Sequence, residues 1–205
     1  MTCVGDKGIS CYKKTKNGNS TLDIIVKRVL EESKDEFKIV DFFPYGSDER
    51  QFSSPGINIQ TGSLTRTPYN HFSEYHTSAD NLEFMSKTHL ADSFKKYYKI
   101  FELLEKENLD IKNIKKISKN DKNEHYINSN PKCEPNLGRR GLYRTLHNKS
   151  IKMSDLAIFW ILNYSDGFHS LSEISDLSKI DYNIIKENVK ILEEKNLVHK
   201  LKEYF

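Results

Sequence analysis

The 205-residue chain predicts an α/β domain followed by a small winged helix. Three observations carry that expectation. An amphipathic helical stretch from Ser20 to Ser33 runs straight into a β-rich segment, which is half of a β-α-β unit. A second long helical pattern follows a loop dense in Gly, Pro and Ser. The chain then ends in three closely spaced helical stretches and a short strand, the element order of a winged helix.

At the N-terminus MTCVGDKG offers a short β-prone run that reaches a Gly-Asp turn almost at once. Over Ser20–Ser33 the apolar residues Leu22, Ile25, Val26, Val29 and Leu30 make one helical stripe, and Ser20 with Asp23 stand at capping-box spacing. FKIVDFF is too short and too rich in β-formers for a helix, and Pro44 closes it. Residues 44–81 form a long loop with one β-like stretch near Gly56–Leu64. A helix is expected from Ser86 to about Glu107, with Leu90, Phe94, Tyr97, Phe101 and Leu104 on one face and Lys95, Lys96, Lys99 and Lys106 in solvent. Residues 111–150 are Lys/Asn-rich with weak periodicity, so the domains are set at 1–125 and 151–205 with a linker over 126–150. The C-terminal domain holds helices over Ser154–Asn163, Ser170–Ser178 and Asp181–Lys195, then a strand over Asn196–Leu201.

Hydrophobic residues make up 37% of the chain and charged ones 30%. No run approaches the roughly 18 apolar residues of a membrane span, and no apolar signal-peptide core stands at the start, so a soluble cytoplasmic protein is expected. Cys3, Cys11 and Cys133 show no CxxC spacing and suggest neither disulfides nor a thiolate zinc site. The net charge of +3 does not by itself imply nucleic acid. From Lys152 to Phe205 there are seven Lys, no Arg and nine Asp or Glu, and Asp181–Glu194 is also net acidic. Duplex binding needs cations against phosphate, so this winged helix is expected to pack or to contact protein rather than DNA. The run Arg139, Arg140, Arg144 is read as a domain-joining turn, with a phosphate contact as the alternative.

The loop over 44–81 carries Asp48, Glu49, Arg50, Arg66, His71, Glu74, His76 and Asp80 among turn residues. Ionisable groups at that density suggest a site, and sites of open α/β sheets lie on such loops. Residue chemistry alone leaves His76 either a metal ligand or an ordinary histidine, because no HExxH or CxxC supplies partners nearby. It likewise leaves Asp48 and Glu49 as a cap, or as an ion pair with Arg50.

GSDERQFSSPGIN, GSLTRTPYNHFSEYHTSADN and NPKCEPNLGRRGLY, in that order behind MTCVGDKGISCYKKTKNGN, resemble a bacterial family with an aminopeptidase-like domain often described with polysaccharide biosynthesis. That family carries a C-terminal winged helix. The element ending in Asp-Asn is similar to the last zinc-binding motif of zinc exopeptidases and glutaminyl cyclases, which share an α/β fold. The resemblance implies zinc as cofactor, His76 as a ligand and Asp80 as a carboxylate that orients the loop or the ring. Asp6 stands near the place of a further acidic ligand, with Thr2 and Cys3 as alternatives. An SDH-like turn of the related peptidases matches Ser47-Asp48-Glu49, where Glu49 replaces histidine. Asp48, Glu49 and Arg50 are candidates to bind a substrate terminus, and Arg66 a carboxylate or sugar phosphate, with ion pairs as the alternative for both arginines. The family's first histidine, bridging aspartate and general-base glutamate have no counterpart here, so the chain resembles the C-terminal half of a family member. It is expected to be inactive alone on a small peptide or amide substrate. It is further expected to associate with a chain carrying the N-terminal half, or with itself. The alternative is a non-catalytic interaction or regulatory module.

Overall fold

Residues 3–69, 71–107, 124–142 and 153–201 are described by the computed structural model; Thr2, Tyr143 and Arg144 lie outside them. The chain divides into two compact units, each treated by itself. Unit 1 comprises Met1–Phe42 and Gln60–Ile111; unit 2 comprises Phe43–Ile59 and Lys112–Phe205.

In unit 1, strand β1 (Ser10–Lys13) is central in a three-stranded sheet. It runs parallel to β2 (Phe37–Val40) and antiparallel to β3 (Ser63–Thr65). Helix α1 (Thr21–Ser33) makes the parallel crossover between β1 and β2, as the sequence predicts. Its capping box is present: Asp23 N donates to Ser20 Oγ, and Ser20 N donates to Asp23 Oδ2 at 2.8 Å. Asp23 does more than cap. It is buried, and it also accepts from Tyr12 Oη at 2.8 Å, Thr15 N at 2.8 Å and Thr15 Oγ1 at 2.6 Å. Burial pushes its carboxyl up, but the bonds from Thr15, Ser20 and Tyr12 outweigh that and hold it below the usual range. The N-terminal β-prone run forms no strand over its described residues, because segment 3–8 bonds to the start of the 66–86 loop instead: Arg66 N donates to Cys3 O at 2.7 Å.

Helix α3 (Lys87–Lys106) starts at the N-cap Ser86 and packs on α1. The core gathers Tyr12, Ile25, Val26, Val29, Leu30, Leu64 and Ile100, with Tyr97 and Leu104 against it. Helix α3 does not have the single apolar face that the sequence predicts. Tyr97 and Leu104 turn inward, whereas Leu90, Phe94 and Phe101 are 39%, 60% and 58% exposed. Lys96, expected in solvent, is buried at 5% exposure because Ser10 Oγ, Asp35 and Asp92 take its ammonium protons.

Unit 2 contains the short helix α2 (Asp48–Phe52) and a second three-stranded sheet, fully antiparallel, in which β4 (His125–Asn128) lies between β5 (Asp166–Ser170) and β6 (Val198–Lys200). Strand β4 starts at the last residue of the expected first domain, and Tyr126–Asn128 fall in the stretch read as a linker. Helices α4 (Met153–Tyr164), α5 (Leu171–Ser178) and α6 (Tyr182–Glu194) complete the winged helix. Residues Ala157–Tyr164 of α4 are buried on every side, as expected of a central helix apolar all round. Ser170 and Glu173 form a second capping box, and Asp181 caps α6 through Asn183 N. None of the described helices is long and apolar enough to cross a membrane.

Candidate functional site

Past β3, the unit 1 chain makes a series of tight turns. Thr77 N bonds Glu74 O, Asp80 N bonds Thr77 O, and Phe84 N bonds Asn81 O, before Ser86 N returns to Gly5 O at 2.7 Å. His76 sits within this series in the left-handed region, at φ 58°. Histidine tolerates that conformation better than most residues, but it is uncommon outside turns and functional sites. Its ring is stacked on Tyr75, with centroids 4.1 Å apart at 17°. Tyr75 meets Phe72 edge-on at 5.5 Å, and Phe72 stacks on Phe84 at 5.4 Å. A row of aromatic rings thus supports an exposed imidazole. Asp80, four residues on, is also exposed.

Asp6 is buried, and its carboxylate is taken up within the chain. It accepts from Gly8 N at 2.7 Å and from Thr67 Oγ1 at 2.6 Å, with Thr67 N at 3.3 Å. Arg66 is 5% exposed. Its Nε donates to His89 O and Ser93 Oγ, its Nη1 to Gly8 O, and its Nη2 to Asp92. Asp92 therefore lies between two buried cations, Arg66 and Lys96, while Asp35 pairs with Lys96 at 2.9 Å from the exposed side. The hydrogen bond and charge of Lys96 hold the Asp35 carboxyl below its ordinary range. A cavity of ≈ 380 Å³ opens beside this group, lined by Lys7, Arg66, His89 and Asp92 among others. Asp92 and Lys96 stand at i, i+4 on α3, a spacing the sequence displays but which reads as a surface pair.

In unit 2 the structure joins two motifs that the sequence separates. Arg50 of SDERQ pairs with Glu134 of NPKCEPN at 2.6 Å, and its guanidinium lies 5.0 Å from the Phe159 ring centre. Gln51 Oε1 accepts from Glu134 N, Ser54 Oγ from Cys133 N, and Pro131 O from Gly56 N. Burial pushes the Glu134 carboxyl up against the opposing pull of Arg50. Glu49 is buried and accepts from Ser47 N at 3.3 Å, while Asp48 is exposed on the first turn of α2. Arg139 and Arg140 lie in a 3-10 turn, Gly138–Arg140, where Arg140 bonds Asn136 O.

Among the described residues no group of three His, Cys, Asp or Glu side chains could hold a metal ion. The Asp6 oxygens are already bonded within the chain and His76 lies in an exposed turn, so among the described residues neither belongs to such a group.

Residues 1–107 match the family described as Domain of unknown function (DUF4910), and residues 124–200 match a winged helix-turn-helix family. The chain is 47% identical over 186 residues to a Clostridium acetobutylicum protein named "Putative polysaccharide biosynthesis protein with aminopeptidase-like domain", covering 90% of this chain and 39% of that protein. A solved structure described as a "putative peptidase" from the same organism is 44% identical, covers 98% of this chain and 40% of its own, and superposes with a TM-score of 0.49. The chain thus spans about two-fifths of the length of each of these two proteins.

Proposed function

Because the chain belongs to the DUF4910 family and shares 47% identity with a protein named for an aminopeptidase-like domain, we propose that it supplies one part of a zinc-dependent hydrolase of peptide or amide bonds. The observation that carries this reading is the setting of His76: a left-handed turn, an exposed ring and a stacked aromatic support. Held this way, the His76 ring would offer one nitrogen to a metal, and Asp80, four residues on, would orient the loop. The remaining ligands and the general base come, in this proposal, from polypeptide corresponding to the part of the relative without counterpart here. Asp48 faces solvent, where it can receive the amino terminus of a small peptide substrate. Glu49 and Arg50 set its position within unit 2, and Asp6 and Arg66 hold the 3–8 and 66–67 segments together.

Metal analysis tests the reading. The isolated chain should bind zinc no better than His76→Ala. A complex with the missing portion should carry zinc stoichiometrically, lose it in His76→Ala, and cleave an aminoacyl amide. A metal-free complex, or one indifferent to His76→Ala, overturns the proposal.

A second reading, a non-catalytic module that contacts protein through its winged helix, is favoured by one observation. Helix α6 presents Glu187 and Glu194 to solvent beside the exposed apolar Ile191. It predicts a metal-free complex with a partner retained by α6.

A further inference from the structure

Helix α3 carries two apolar stripes. The inner one, through Tyr97, Ile100 and Leu104, joins the unit 1 core. The outer one comprises Leu90, Phe94, Tyr98 and Phe101, which fall within roughly 80° of one another at 3.6 residues per turn. Their exposures are 39%, 60%, 59% and 58%. Phe94 and Tyr98 already stack, with ring centres 6.3 Å apart. At the N-terminal end of the stripe Val4, Leu90, Ala91 and Phe94 border an almost wholly apolar cavity of ≈ 430 Å³. Scattered exposed apolar residues need no explanation, but three aromatic residues in line beside an apolar hollow form a surface suited to be covered by further polypeptide.

The length of the relative points to an occupant. The relative aligned with 90% of this chain holds about three-fifths of its sequence outside the match. We propose that the outer stripe of α3, with the hollow at its end, docks the polypeptide corresponding to that unmatched portion, placing Phe94 in the centre of the interface. The proposal rests on the reading of this chain as one part of a two-part hydrolase, and it adds the surface by which the parts join. A contact centred on aromatic residues, ringed by the exposed Lys95 and Lys99, has the apolar centre and polar rim of a stable interface.

The test co-expresses the full 205-residue chain with the portion of the Clostridium acetobutylicum protein outside the 186-residue match. A one-to-one complex is expected. Phe94→Lys and Phe101→Lys should each weaken it at least tenfold, while the isolated variants melt like the parent because both side chains lie outside the core. A single-chain fusion of the two parts gives an independent measurement. There the same substitutions should lower Tm by roughly 5 °C or more. The proposal is overturned by a soluble unmatched portion that does not bind, by a complex or fusion indifferent to both substitutions, or by a homodimer of this chain that the substitutions disperse, which assigns the stripe to a second copy. Zinc is measured separately on the same complex. Docking without zinc sinks the metal reading alone, and zinc on a complex that ignores both substitutions sinks the docking surface alone.

Discussion

Helices α3 and α6 both send an apolar stripe into a core, but they treat their remaining residues differently. In α6 the inward face is apolar although Ile191 stays outside: Ile185, Val189 and Leu192 are at most 1% exposed, and the one buried polar side chain of that helix, Asn188, donates to Ile184 O. In α3 the polar Ser93 and Lys96 are buried while Phe94, Tyr98 and Phe101 stay outside. Hydrophobicity alone does not decide which face a helix buries. Unit 2 has a central helix, α4, apolar enough to receive an apolar stripe. Unit 1 offers the carboxylates of Asp35 and Asp92 and the hydroxyl of Ser10, which together satisfy an ammonium, so a lysine goes in there.

The sharpest test of this contrast is Leu192→Ala. At 0% exposure the side chain should cost about 3–5 kcal/mol when truncated. Trp160, the single tryptophan and a core residue of α4, reports the loss in a urea titration of its fluorescence. Asp23→Ala in unit 1 should cost roughly 3 kcal/mol, since it strips several buried hydrogen bonds at once. Its pH dependence has a definite sign. The folded carboxyl is held below its unfolded value, so its contribution is complete above about pH 4 and fades as pH falls through that value towards the folded one. The acid limb of the parent's stability curve should therefore be steeper than that of Asp23→Ala, measured by exchange of the α1 amides.

Lys96→Met should cost less, about 2 kcal/mol, because Asp92 keeps Arg66 while Asp35 turns to water. A cost near zero would mean that the buried lysine is dispensable and that α3 could equally have been filled with carbon. The smallest effect is expected at Lys200→Ala on the unit 2 surface. The Glu124 carboxylate, at 2.7 Å, raises the Lys200 ammonium and is itself lowered, but both groups are well solvated, so at most about 1 kcal/mol is at stake. High salt should abolish even that difference.

The same contrast explains what could be read in advance. Helices α1, α5 and α6 announce themselves because their apolar spacing and caps agree, Ser20 with Asp23 and Ser170 with Glu173. Strand β4 hides because HYIN sits among Lys and Asn with too few residues to show a period, and α2 because five residues make little more than one turn. Lys96 hides because its burial depends on Asp35, sixty-one residues away. At the site, EYHTSADN stands out as a motif, yet neither the left-handed backbone of His76 nor the row of rings behind it can be seen in a string of letters. The motifs around Arg50 and Glu134 are both conspicuous, whereas their pairing is a long-range fact of the fold.

That pairing has a consequence for synthesis. Arg50, Gln51 and Ser54 find their partners at Glu134 and Cys133, so the segment Phe43–Ile59 must wait for about eighty further residues before it can settle. On the ribosome, β1, α1 and β2 can assemble as they emerge, while the SDERQ stretch behind them stays uncommitted until α3 has been made and passed. A chain stopped after residue 107 would keep every element of unit 1 and still carry an orphaned segment in its middle, an open invitation to proteases and chaperones.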